Sequence, residues 1–69
     1  METNKLYYRV DRREISFLRF IFEAYDGIAV LTTVDAQAGI VVIHVPPGCE
    51  ADVDLIIKDL KQDILIEPV

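Results

Sequence analysis

Polar and apolar residues alternate from Lys5 to Val10, with Leu6, Tyr8 and Val10 in one phase and Tyr7 and Arg9 in the other. A period of two carried by tyrosine and valine predicts a strand. The period changes after Asp11. From Glu14 to Tyr25, the residues Ile15, Leu18, Ile21, Phe22 and Tyr25 recur at helical spacing, with Ser16, Arg19 and Glu23 opposite them. That pattern predicts an amphipathic helix. Phe17 and Ala24 widen its apolar arc, and Phe20 falls beyond them beside the polar side. The corner between the two elements is Val10-Asp11-Arg12-Arg13-Glu14-Ile15. Asp11 is expected to accept from an amide of the first turn, and Glu14 to reach back to the Asp11 amide. Val10 and Ile15 then stand where a hydrophobic staple closes over the corner. Asp26-Gly27 is expected to end the helix, glycine being suited to the left-handed residue after the last turn.

Ile28 to Val34 is rich in β-branched residues and predicts a second strand. Asp35 to Gly39 is a short glycine-containing loop of hairpin length, and Ile40 to Val45 predicts a third strand. Pro46-Pro47-Gly48 stops it, because proline cannot donate to a ladder. From Glu50 to about Lys61, Val53, Ile56, Ile57 and Leu60 form a narrow apolar stripe. Acidic residues crowd the start of this segment and lysines stand near its end, as a helix dipole favours. Ile64 to Ile66 predicts a short last strand, ended by Pro68. Met1 to Asn4 is expected to fray, which leaves 5–69 as one domain. The order strand, helix, strand, strand, helix, strand, with right-handed crossovers, predicts an α+β ferredoxin-like sandwich. Its four-stranded antiparallel sheet would run 4-1-3-2, with both helices on one face. Two alternatives stay open: a dimer that exchanges the last strand, and a fourth segment that is only a tail.

This topology divides the strand residues between two faces. The helix-covered face would carry Leu6, Tyr8, Val10, Ile28, Val30, Val41, Ile43, Val45, Ile64 and Ile66. The other would carry Tyr7, Arg9, Ala29, Leu31, Thr33, Ile40, Val42, His44, Leu65 and Glu67. Arg9 and Glu67 are placed to pair across neighbouring strands. The second face is more apolar than a solvated sheet face requires. Contiguous exposed apolar surface marks a contact site. Either Tyr7, Leu31, Ile40, Val42, His44 and Leu65 on this face, or the Phe17–Phe20 flank of the first helix, is expected to bind a second copy of the chain. The plainer reading is an ordinary surface shielded by long side chains.

Size sharpens that expectation. At 69 residues, the core of such a domain supplies only ~3–5 kcal/mol of net stability. Cys49 is the only cysteine, so no disulfide forms within the chain. Cys49 and His44 are the only soft metal ligands, where zinc takes about four. Neither metal nor cofactor is expected, and oligomerisation, most simply a homodimer, is the remaining source of stability. The net charge of −5 repels nucleic-acid backbones and anionic membranes. No apolar run reaches the ~18 residues of a membrane span. The N-terminal residues carry no signal-peptide pattern, and a lone cysteine suits a reducing compartment, so a cytoplasmic protein is expected.

Chemistry-bearing residues are few. His44 can serve as a base or a ligand, but it sits mid-strand with no partner at ligand spacing, and a structural histidine is the simpler reading. Cys49 opens a helix, which favours a thiolate, while Glu50, Asp52 and Asp54 oppose it. Asp11 with Glu14 is explained by capping. Glu50, Asp52 and Asp54 are helix-start charges and not the ~6–8 oxygen ligands of a calcium loop. No phosphate loop, nucleophile motif or zinc motif occurs. Arg9, Arg12 and Arg13, with Arg19 near, make the one basic cluster. It is either solvated surface charge or a site for a carboxylate or phosphate at the helix start.

The order of elements is similar to that of small ACT-type regulatory domains. That resemblance implies dimers with small ligands at their interface, although the glycine usual in the first strand–helix turn is absent here. RNA-recognition and copper-carrying relatives of the topology are set aside. The third strand carries no aromatic residue, and Asp11-Arg12-Arg13 stands where two cysteines would be needed. Three stretches, Tyr7-Tyr8-Arg9-Val10-Asp11-Arg12-Arg13-Glu14, Phe22-Glu23-Ala24-Tyr25-Asp26-Gly27 and Val45-Pro46-Pro47-Gly48-Cys49-Glu50, resemble an uncharacterised bacterial family of short proteins, a domain of unknown function. The likeness covers nearly the whole chain and implies a bacterial cytoplasmic protein. The expected role is a non-enzymatic interaction or regulatory module that self-associates. The alternative is an ACT-like sensor of a small anionic metabolite or amino acid near Arg9, Arg12 and Arg13.

Overall fold

A computed structural model describes residues 4–25 and 29–69. Strand β1 covers Asn4–Val10, a 3-10 turn Arg12–Glu14, helix α1 Ile15–Ala24, β2 Val30–Asp35, β3 Ile40–Val45, α2 Glu50–Leu60 and β4 Ile66–Pro68. The sheet runs β2-β3-β1-β4 with every neighbouring pair antiparallel. This is the α+β ferredoxin-like arrangement and strand order that the periodicity predicts. Asn4 pairs with Val45 and so belongs to β1 and not to a tail. Met1 to Thr3, the Asp26-Gly27 helix stop and Ile28 lie outside the described residues. The last strand begins at Ile66 and not Ile64, because the Ile64 amide still donates to the Leu60 carbonyl at 2.9 Å. Its pairing with Tyr8, Arg9 and Val10 makes it a strand and not a tail.

One core holds the layers together. Ile15, Leu18 and Phe22 of α1 and Val53, Ile57 and Leu60 of α2 meet Val10, Leu31, Val41, Ile43, Val45 and Ile66 of the sheet. Ile21 and Ile56 complete the two helical stripes at its margin. Tyr25, expected on the core face of α1, lies past its end and is exposed. Tyr8 is half-buried under α2, and burial together with the nearby Asp54 carboxylate raises its hydroxyl pKa above the usual value.

The faces of β2 are the reverse of the expectation. Ala29 and Leu31 are buried in the core, Leu31 at 6% exposure, while Val30 is 64% exposed on the uncovered side. The cause is a β-bulge. Asp35 pairs with Ile40, but Thr33 pairs with Val41, so Val34 is an extra residue with no partner. A single inserted residue turns every preceding side chain to the other face of the sheet. Leu31 therefore pairs with the core residue Ile43, and Val30 and Thr32 pair with His44 and Val42.

The β2–β3 turn is fixed against the first corner. Asp35 Oδ1 accepts from the Gln37 and Ala38 amides, each at 3.1 Å. Gly39 is buried, has φ +74°, and accepts from the Val10 amide at 2.8 Å through its carbonyl. A Cβ at Gly39 would fall well inside contact with the Val10 carbonyl oxygen. The glycine is required by both its backbone angle and this close approach.

Candidate functional site

Two surfaces gather the candidate residues. The first is the uncovered face of the sheet. The register sets Lys5, Val30 and His44 in one row, and Tyr7, Thr32 and Val42 in the next. Arg9, Ile40, Asp35 and Glu67 form the third. Val42 is central and only 5% exposed although no helix covers it. Tyr7 and Val30 remain largely exposed beside it, and Ile40 and His44 are half-buried. Leu65, just before β4, and Val69, whose amide donates to the Tyr7 carbonyl at 3.2 Å, are exposed at the β4 edge. Leu31 does not belong to this surface, since the bulge turns it into the core; Val30 takes its place.

The charges of that face lie at its rim. Arg9 donates to Glu67 Oε2 at 2.6 Å, the cross-strand pair that the register predicts. This pairing separates Arg9 from Arg12 and Arg13, with which the sequence groups it. The sheet thus has an apolar centre bordered by one ion pair, Arg9–Glu67, and by the charges of Lys5 and Asp35.

The second surface lies where α1 and the β2–β3 turn meet. An open groove of about 500 Å³ is lined by Arg12, Arg13, Ser16, Arg19, Thr33 and Gln37, among others. The corner places Arg13. Asp11 Oδ1 accepts from the Arg13 amide at 2.9 Å, and the Asp11 carboxylate holds the Arg13 guanidinium at 3.2 and 2.8 Å. These bonds from Arg13 lower the Asp11 pKa to about 2. The expected return bond from Glu14 is not among the hydrogen bonds of the described residues. The Glu14 amide donates to the Asp11 carbonyl at 2.8 Å instead, closing the 3-10 turn, and α1 begins at Ile15. Arg19 reaches over to β2 and donates to Thr33 Oγ1 at 2.9 Å.

Arg19 therefore replaces Arg9 in the basic cluster. The signal for it was present in the sequence. Arg12, Ser16 and Arg19 stand at i, i+4 and i+7, the spacing of one helical face. Thr33 and Gln37 could be placed there only once the bulge and turn were known.

The remaining candidates lie apart from both surfaces. Phe17 and Phe20 are exposed on the outer side of α1, Phe20 at 65%. Tyr25, Leu55, Ile56, Asp52 and Asp59 line a separate groove of about 270 Å³. Cys49 precedes α2 and is half-buried against the core, and the Glu50 carboxylate accepts from the Gly48 amide at 2.9 Å. Among the described residues no three His, Cys, Asp or Glu side chains are grouped to hold a metal ion, and no helix is long and apolar enough to cross a membrane.

Comparison with curated proteins and with solved structures gave no match. Residues 8–64, from within β1 to the end of the α2 turn, match the family described as Domain of unknown function (DUF4911), and the chain belongs to that family.

Proposed function

We propose that this protein is a non-enzymatic interaction or regulatory module of the bacterial cytoplasm, and that it works as a homodimer with the uncovered faces of two sheets packed together. The observation that carries this reading is the apolar centre of that face. Val42 is already shielded from water, and Tyr7, Val30 and Ile40 surround it with apolar surface. Pairing the edges is disfavoured by comparison. β2 is interrupted by its bulge and β4 is three residues long and ends in Pro68, both devices that blunt a sheet edge. A twofold dimer needs one self-complementary patch, and the face offers one.

Its size sets the strength. Strands of seven, six, six and three residues, at ~3.4 Å per residue and about 4.8 Å apart, give a face of roughly 350 Å². Two such faces bury roughly 700 Å², below the ~1,200–2,000 Å² of stable complexes. Association is therefore weak and reversible, with a dissociation constant of roughly micromolar or above. Molar mass by light scattering over a concentration series tests it. The parent chain should rise from monomer to dimer mass. Val30→Glu, on the exposed side of an edge strand, should stay a folded monomer, and Phe20→Glu should behave as the parent. A parent that stays monomeric throughout, or a dimer abolished by Phe20→Glu and kept by Val30→Glu, overturns the proposal.

A further inference from the structure

The arginine groove lies on the helix side of β2, away from the proposed dimer face, and it presents an imbalance. The chain has seven lysines and arginines against twelve aspartates and glutamates. With acid in such excess, a groove lined by three arginines and no aspartate or glutamate is the exception to explain. Arg9 is paired with Glu67, Arg13 with Asp11 and Lys58 with Asp54. Lys5, Arg12, Arg19 and Lys61 have no carboxylate partner among the described residues, and of these the two arginines line this groove. Arg19 is held there by the Thr33 hydroxyl through one terminal nitrogen. Ser16 and Gln37 add neutral donors to the same lining.

We propose that the groove binds a phosphorylated small molecule, with Arg12 and Arg19 as its charge contacts and Ser16 and Gln37 as neutral ones. Charge and oxygen count favour phosphate over carboxylate. Asp11 meets the Arg13 guanidinium in the two-oxygen fork that a planar carboxylate allows. A single carboxylate would bring one negative charge and two oxygens to the two arginines. A phosphoryl group is a dianion with three peripheral oxygens, so it answers two cations, Arg12 from the 3-10 turn and Arg19 from α1. The volume suits a ligand of about nucleotide size, since small-molecule sites run ~300–1,000 Å³. A nucleic-acid strand is disfavoured by the net charge of −5, which a long polyanion meets and a small ligand in the groove does not.

Titration of the full chain with inorganic pyrophosphate, and separately with adenosine monophosphate, tests the proposal by the Nε–Hε resonances of labelled arginines. Saturable shifts are expected at Arg12 and Arg19. Arg12→Gln and Arg19→Gln should each weaken binding by about tenfold or more, as loss of a charge-assisted hydrogen bond does. Arg9→Gln should leave binding unchanged, and so should Val30→Glu, which makes the groove's test independent of the dimer's. All these positions are exposed, and an unchanged thermal midpoint confirms that each variant is folded. The proposal is overturned by shifts that do not saturate, or by an equal loss in Arg9→Gln, which would mark a diffuse charge effect. Tighter binding of a single-stranded oligonucleotide than of either small probe would also overturn it and assign the surface to a polymer.

Discussion

Val30 and Leu31 are neighbours in β2, yet a carboxylate at each should have opposite consequences. At Leu31 it would enter the core beside Ile43, with no partner there for a charge. Leu31→Glu is expected to be unfolded at 25 °C, whereas Val30→Glu, compared at concentrations where the parent is monomeric, keeps the parent's thermal midpoint within a few degrees. Circular dichroism melts of the two variants check this, and a folded Leu31→Glu would refute the bulge. The two glycines with positive φ divide in a similar way. Gly39 carries both a left-handed angle and contact with the Val10 carbonyl, while Gly48, at φ +91°, has open space around it. Gly39→Ala should cost at least ~2 kcal/mol, combining strain and overpacking, and Gly48→Ala only about 1 kcal/mol. Denaturant unfolding of both variants measures the difference.

At the scale of elements, the strand-to-helix corner makes a prediction in pH. Asp11 titrates near 2 in the folded chain, against a usual value of 3.8, because Arg13 holds its ionised form. A depressed carboxylate pKa stabilises the fold above the unfolded value, and that stabilisation disappears as pH falls through the folded value. Asp11→Asn keeps a side-chain oxygen for the Arg13 amide and removes the ion pair. Its thermal midpoint should lie below the parent's at neutral pH, and the gap should close between about pH 4 and pH 2. A gap of constant size over that range would show that the ion pair contributes nothing. The same corner shows how far the sequence could be read. The position of Asp11 before an apolar helical run identified the cap, and Val10 and Ile15 both reach the core as the staple requires. The return bond from Glu14 to the Asp11 amide is not among the hydrogen bonds of the described residues: Asp11 caps the Arg13 amide, two residues on, and the Glu14 amide that a capping box would engage donates to the Asp11 carbonyl in a 3-10 turn. In β2 the sequence was silent for a different reason. Ile28, Val30 and Val34 are apolar in one phase and Ala29 and Leu31 in the other, so a period of two does not choose a face. Only the unpaired Val34 chooses it, and no residue type announces a bulge there. The misplacement of Leu31 on the contact surface followed from that one position. Arg9 was misgrouped because nearness in sequence stood in for nearness in space across a strand–helix corner.

For the whole molecule, the small core sets the tolerance. Phe22 is the largest of the fully buried side chains and joins α1 to the sheet. Phe22→Ala should cost ~3–5 kcal/mol, comparable with the entire ~3–5 kcal/mol a core of this size provides. The variant is expected to lose its cooperative melt, while Phe20→Ala, exposed on the other side of the helix, changes stability by under about 0.5 kcal/mol. A domain with so little in reserve gains from any surface it can cover, and the uncovered sheet face offers one, with Tyr7, Val30 and Ile40 around Val42. Dilution of an isotope-labelled sample, followed by amide shifts across the whole chain, tests that central claim most directly. Shifts that move together with concentration at Tyr7, Val30, Ile40, Val42 and His44, and leave Phe17, Phe20 and the arginine groove unmoved, are the predicted result. Concentration-dependent shifts confined to α1, or none at any concentration, would contradict it.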